Sequence, residues 1–280
     1  MGTVRAFLDQ LTTRSWGKLR RIRNRRFESQ LRHDPNAPPL LLSPHLDDAV
    51  IDCWSVLTRP AEVRVVNVFA GAPRAGFVTY FDRLAGARDS AAHVGHRVAD
   101  DRTALRRAGR SPVNLKFLAH PYRGARPEPS FALLDAVLAD SAEVTGAVYA
   151  PAALGEPHPD HECVRDYALG LAQAGMPVCL YADLPYCAVY GWPGWVTDAE
   201  PDPHLDVDAY WTSSAGAAER FLTRARARVV RLDRDQAVAK LAAMRVYREF
   251  AVLDRGPVRQ LSNAAIHGYE VFWDIDGSEA

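Results

Sequence analysis

From residue 39 onward, short apolar runs alternate with longer stretches of helical pattern, and this alternation leaves few folds open. Strand-like runs fall at Leu40–Leu42, Val63–Phe69, Val113–Leu118, Gly146–Ala150 and Val178–Tyr181. Helical patterns fall between them, at Ala49–Leu57, Asp82–Gly109 (in one or two pieces), Phe131–Ala139 and His161–Ala174. Such an order predicts βαβ units and a mostly parallel sheet covered on both faces. Further helices are expected at Ala215–Ala227 and Gln236–Phe250, with a last strand at Tyr269–Ile275. Pro185 to Tyr210, with Trp192 and Trp195, reads as a long connection that shapes or covers a site.

Chemistry is concentrated where two of the apolar runs end. Ser43-Pro44-His45-Leu46-Asp47-Asp48 follows the first, and Pro157-His158-Pro159-Asp160-His161 follows Ala147–Ala150. In open α/β sheets, ligands bind beyond the carboxyl ends of the strands. Read structurally, Asp47 and Asp48 are a helix N-cap and a first-turn carboxylate, His45 a loop histidine, and Asp160 a cap after Pro159. Two His/Asp clusters meeting at one sheet edge favour a site instead.

Together the two clusters resemble the PIG-L/LmbE-like family of zinc-dependent N-deacetylases. Val68-Phe69-Ala70-Gly71-Ala72-Pro73, Arg97 with Asp100-Asp101-Arg102, and Leu180-Tyr181-Ala182-Asp183-Leu184-Pro185 add to the likeness, which runs from about residue 39 to the C-terminal region. The resemblance implies an LmbE-like fold, a Rossmann-like three-layer α/β sandwich, over residues 39–280. It also implies removal of an N-acyl group, most often acetyl, from an amino-sugar-containing small molecule or glycoconjugate.

His45, Asp48 and His161 suit a catalytic zinc, since two imidazoles and one carboxylate leave a fourth position for water; the resemblance implies the same three ligands. Another divalent ion such as Fe2+ suits the same donors. Amide hydrolysis further needs a base and an acid. The family assigns the base to the position of Asp47 and a second catalytic histidine to that of His158. Protonated, His158 would stabilise the oxyanion, with Asp160 placed to orient or charge-stabilise it. Arg97 matches an arginine that contacts substrate in relatives, although its charged run also reads as a solvated helix face. Tyr122 and Arg123 are expected at the mouth of the site. His93, His96 and His120 lack a partner motif and read as ordinary residues. The family's paired glycines after the first-helix cysteine are Trp54-Ser55 here, and its common Glu after the two aspartates is Ala49. The first departure prompts a rival reading: a metal-binding but catalytically inactive carbohydrate-binding or regulatory protein.

Lys+Arg and Asp+Glu both number 34 in 280 residues, so no global field points to nucleic acid. Cys53, Cys163, Cys179 and Cys187 form no CxxC pair and read as buried thiols of a reducing cytosol. No apolar run is long enough to span a bilayer and no signal peptide is evident, so a cytoplasmic protein is expected. Residues 1–38 read as a basic extension ending in the linker Asp34–Pro39. Within residues 14–27, Lys18, Arg20, Arg21, Arg23, Arg25 and Arg26 interleave with Trp16, Leu19, Ile22 and Phe27. This is either a helix docked on the domain or a basic amphipathic segment that contacts an anionic membrane. If the latter, full-length protein sediments with anionic vesicles, the binding fades with added salt, and deletion of the segment abolishes it. Equal sedimentation of full-length and truncated protein selects the docked helix.

Overall fold

The computed structural model describes residues 28–155, 158–184, 186–200, 202–215, 222, 225–250 and 263–275. The basic segment 14–27 lies outside them. Seven strands form one sheet: β2 (Leu40–Ser43), β3 (Arg64–Asn67), β4 (Pro112–Asn114), β6 (Val148–Pro151), β7 (Val178–Tyr181), β8 (Arg226–Arg231) and β9 (Tyr269–Ile275). A separate parallel pair joins β1 (Arg32–His33) to β5 (Val144–Thr145). The sheet order is β4-β3-β2-β6-β7-β9-β8, with the first five strands parallel and β9 antiparallel to both neighbours. The helices are α1 (Asp48–Asp52), α2 (Trp54–Leu57), α3 (Tyr80–Leu84), α4 (Ser90–Arg106), α5 (Phe131–Ala142), α6 (Pro159–Gln173), α7 (Val207–Ala215) and α8 (Arg234–Met244), with short helical turns between them.

Every residue of β2, β6 and β7 is buried. A strand open to water on one face would bury only alternate residues, so these three are covered on both. The edges are protected by chemistry: β4 begins with Pro112, and β8 carries Arg226, Arg228 and Arg231. The chain after β2 goes to β3 on one side, whereas β6 pairs on the other. The carboxyl ends of β2 and β6 therefore flank a switch point, where a crevice opens in this kind of sheet.

The five parallel strands and the last strand lie near where the sequence pattern puts them, although β4 keeps only Val113 and Asn114 of the expected Val113–Leu118. The expected helix at Ala215–Ala227 does not hold through its C-terminal end, because Arg226 and Ala227 begin β8. Arg and Ala favour helix locally, but pairing of all six residues with β9 overrides that preference. The helix expected to reach Phe250 ends at Met244, and Tyr247–Glu249 leave it to bind α4. The long connection contains a 3-10 turn, Tyr186–Ala188, and α7. All four cysteines are buried thiols outside any disulfide. Among the described residues, no helix is long and apolar enough to cross a membrane.

The described end of the basic extension, just before the expected linker, is packed on the body. Leu31 is buried, and the buried carboxylate of Asp135 accepts hydrogen bonds from Ser29 Oγ (2.7 Å), Gln30 N (2.5 Å) and Tyr167 Oη (2.8 Å). A truncation that spares the body must therefore stop at residue 27. Deleting residues 1–36 instead strips Asp135 of two donors, which costs about 1–3 kcal/mol for a buried group left short of partners. Chemical denaturation of the two truncations checks this; equal midpoints would refute it.

Candidate metal centre

Local hydrogen bonding explains how three reactive side chains fit into four residues. Asp47 is the N-cap of α1, yet its side chain makes no capping bond. Ser43 Oγ accepts from Ala49 N at 3.1 Å and donates to His45 O at 2.6 Å, which ties the turn shut. Asp48 Oδ2 accepts from His45 N at 2.7 Å. Serine thus performs the capping that the structural reading gave to aspartate, and Asp47 is left for other work.

The second cluster arrives from β6. Gly155, at φ +79°, lies on this approach, and a Cβ there would sit 2.4 Å from Tyr186 O. Glycine is required for that contact. His158 is the N-cap residue of α6, Pro159 its first position, and Asp160 and His161 its first turn.

His45 Nδ1, Asp48 Oδ2 and His161 Nε2 form a triangle with edges of 3.3, 3.5 and 3.6 Å. Tetrahedral ligands about 2.0–2.2 Å from an ion stand about 3.3–3.6 Å apart. The three donors expected from the sequence therefore fit one small divalent cation. A three-imidazole set, His45, His158 and His161, also offers nitrogens within 4.8 Å of one another, but it is looser than the triangle that includes Asp48.

Each imidazole of the triangle is braced on its far nitrogen. His45 Nε2 lies 3.0 Å from Asp160 Oδ2, and His161 Nδ1 lies 2.6 Å from Asp183 Oδ1. This carboxylate–histidine pairing fixes the tautomer and orientation of a metal ligand. Asp160 is also held by Arg123 Nη1 (2.5 Å) and His120 N (2.8 Å). Two expectations are corrected here. Asp160 orients His45 rather than His158, on which it acts by charge alone, favouring the protonated imidazole. Arg123 is buried behind Asp160, bonded also to Leu118 O, and does not stand at the mouth.

His158 sits between the other imidazoles, with ring centroids 4.8 Å from both His45 and His161 and 6.2 Å from Tyr186. Its Nδ1 is buried without a hydrogen-bond partner. Arg97 reaches Asp47 Oδ1 at 3.5 Å and Glu249 Oε2 at 2.7 Å, so it belongs to the site and not to a solvated face. Tyr122 is half-buried, its hydroxyl donating to Asp82 Oδ1 at 3.2 Å. Sequence reasoning missed Asp183 as a site residue, although it follows a strand-like run at the same sheet edge. It also missed Glu249 and Tyr186, which carry no local signal.

In the absence of a metal, the carboxylates draw protons to the imidazoles. Burial alone would lower the His45 pKa, but Asp160 and Asp48 outweigh it and raise the group to about 10. His161 is raised in the same way, by Asp48 and Asp183 against burial. Burial would raise Asp48, but His161 and His45 hold it well below the usual carboxylate range. The triangle is thus a site for positive charge. Burial, with His45 and His161 beside it, depresses His158 to about 3, so in the metal-free protein its imidazole is neutral. Burial raises Asp47 to about 6 despite the opposing charge of Arg97.

No protein-family model matches the chain, and no curated protein does. Solved structures do. The deacetylase of the antimicrobial reagent A40926 pseudoaglycone is 25% identical, with a TM-score of 0.63 over 88% of this chain and 100% of its own. A deacetylase of the teicoplanin biosynthetic pathway, solved as a complex with bog, is 26% identical, with a TM-score of 0.62 over 85% and 97%. The N,N'-diacetylchitobiose deacetylase of Pyrococcus horikoshii shares the fold at 17% identity, with a TM-score of 0.52 over 95% and 93%.

Metal removal gives a pH signature. The His45 pKa is raised in the folded metal-free protein from 6.5 to about 10, so this group's stabilisation is complete below about pH 6.5 and is lost as the pH rises through about 10. The melting temperature of chelator-treated protein is expected to fall between pH 7 and 10 more steeply than that of metal-loaded protein, in which the ion replaces the proton. Parallel melting curves would contradict the charge assignment. The structural neighbours of this chain are members of the LmbE/PIG-L family of zinc deacetylases, the family that its two His/Asp clusters resemble.

Proposed function

We propose that this chain is a metal-dependent N-deacetylase that hydrolyses the amide of an N-acylated, amino-sugar-containing small molecule or glycoconjugate. The observation that carries the reading is the near-equilateral donor triangle of His45, Asp48 and His161, with a separate carboxylate beside it. Likeness to deacetylases of glycopeptide antibiotics supports the glycoconjugate substrate class. The strand order β4-β3-β2-β6-β7 supports assigning the scaffold to the Rossmann-like three-layer type. We place the enzyme in the cytoplasm, where buried cysteines outside disulfides are ordinary.

A divalent ion held by His45, Asp48 and His161, zinc by preference and Fe2+ as the competitor, supplies Lewis acidity. The chain's own residues move the protons. Asp47, with a pKa near neutrality and no capping duty, takes a proton from the attacking water and returns one to the departing amine. Water adds to the acyl carbon, the C–N bond breaks, and acetate and a free amine leave. Neutral His158 turns a ring N–H toward the oxygen on which negative charge develops. Arg97 holds Asp47 from one side and the substrate from the other, and Tyr122 borders the approach to Arg97. Asp160 and Asp183 act through the imidazoles that they brace.

Trp54 does not favour the rival reading of an inactive binding protein. It is packed in the core, and Trp54 N and Ser55 N both donate to the buried Glu270 carboxylate, at 2.7 and 2.9 Å. The departure from paired glycines is absorbed by packing on β9.

Acetate release from a panel of N-acetylated sugars tests the activity, alongside metal content. Asp47→Asn is expected to keep about one metal per chain and to lose on the order of a hundred- to ten-thousand-fold in turnover. Asp48→Ala loses metal, and excess zinc restores part of the activity. Asp183→Asn weakens metal affinity about 10- to 100-fold. A metal-replete Asp47→Asn protein with near-normal turnover would end the mechanism.

A further inference from the structure

Three consecutive residues after α8 grip helix α4. Tyr247 Oη donates to Asp101 Oδ1 at 2.9 Å. Arg248 Nε and Nη2 donate to the two oxygens of Asp100 at 2.8 and 3.0 Å. Glu249 is held by two side chains one helical turn apart: His93 Nε2 lies 2.5 Å from its Oε1, and Arg97 Nε donates to its Oε2 at 2.7 Å. The side chains of His93 and Glu249 are each only 4% exposed. His93, expected to be an ordinary residue, is therefore one jaw of a buried grip.

We propose that Glu249 is a positioning residue for the reaction: it anchors Arg97 by its Nε edge and so keeps the guanidinium from closing on Asp47. A guanidinium is a rigid planar fork, and anchoring one edge fixes the whole plane. An unrestrained Arg beside a buried carboxylate forms a short, bidentate pair of about 2.7–2.9 Å. Arg97 instead stops 3.5 Å from Asp47 while its contact with Glu249 is 2.7 Å. The tighter bond is the remote one. Asp47 keeps oxygens free to accept from water, and the Nη edge of Arg97 stays available to a substrate. His93 holds the other oxygen of Glu249, so the carboxylate cannot swing toward the site. This inference rests on the deacetylase reading for its kinetic consequence but not for its geometry.

The test compares metal-loaded wild type with Glu249→Ala, Glu249→Gln, Tyr247→Phe and Arg248→Ala, using N-acetylglucosamine and N,N'-diacetylchitobiose as probes. Glu249→Ala is expected to lose about 10- to 100-fold in kcat/KM, the range typical of outer-shell partners, while keeping its metal. Glu249→Gln recovers part of the loss, because its amide oxygen still accepts from Arg97 Nε. Tyr247→Phe and Arg248→Ala loosen the same clamp and lower the melting temperature, yet leave kcat/KM within about twofold. If these two lose activity as much as the Glu249 variants do, the grip is merely structural and the proposal falls. Crystal structures of the two Glu249 variants need no substrate: Arg97 moves to within about 3 Å of Asp47 in at least the alanine variant, or, if it stays at its present distance, the proposal is overturned. Wild type that releases no acetate from any probe would sink the deacetylase reading alone, and the crystallographic distance would still decide the role of Glu249.

Discussion

The structure turns on the cost of gathering carboxylates out of water. Asp47, Asp48, Asp52, Asp160, Asp183 and Glu249 are all buried around one strand switch point. Like charges at such range cannot all ionise unless cations are interleaved. Arg123 answers Asp160, Arg97 answers Glu249 and Asp47, and the imidazoles of His45 and His161 stand between the rest. Asp52 is answered only weakly, by Leu184 N and the more distant Lys240: burial, Asp48 and Asp183 push its carboxyl well above the usual range. At the triangle the positive charge that Asp48, Asp160 and Asp183 call for is carried by protons on His45 and His161, and a divalent cation would replace those protons, fitting by distance as well as by sign. Metal affinity and local fold stability are two aspects of one electrostatic arrangement.

That arrangement divides the side chains by distance from the chemistry. The triangle offers its three donors to an ion, Asp160 and Asp183 brace its imidazoles, and Arg123 steadies Asp160 from behind. Asp47 and His158 lie beside the triangle with their reactive atoms largely uncommitted. Capping by Ser43 makes this possible, because a helix start that relied on Asp47 would hold that carboxylate against the backbone. One hydroxyl at the end of β2 thus separates a structural duty from a chemical one.

The parallel strands were legible because buried strands are written as continuous apolar runs, and the triangle because each ligand follows such a run. The partners of the ligands were harder to read. Asp183 lies at a strand end like the others but stands alone, without a neighbouring histidine to mark it. Glu249 meets His93 across 156 residues, and no local pattern encodes a contact of that span. Arg123 was misplaced because a cation after a strand reads equally as a substrate contact or as a brace; only its burial against Asp160 decides. Strand β8 was hidden by Arg and Ala, whose helical preference yields to β9. The seven-strand, mostly parallel sheet was therefore predictable in kind but not in its far edge.

That far edge reaches back to the first helices. Glu270, on β9, caps the start of α2 through the backbone of Trp54 and Ser55, 216 residues earlier, and is itself neutralised by fully buried Lys240 at 2.9 Å. A ribosome delivers the N-terminal ligands long before it delivers this carboxylate. The amides of residues 54 and 55 wait for a partner until more than 200 further residues have emerged, and β9 then slots between β7 and β8. Closure of the fold is in this sense a late, long-range event, and a nascent chain shorter than about 270 residues leaves the helix behind the donor triangle without its carboxylate cap.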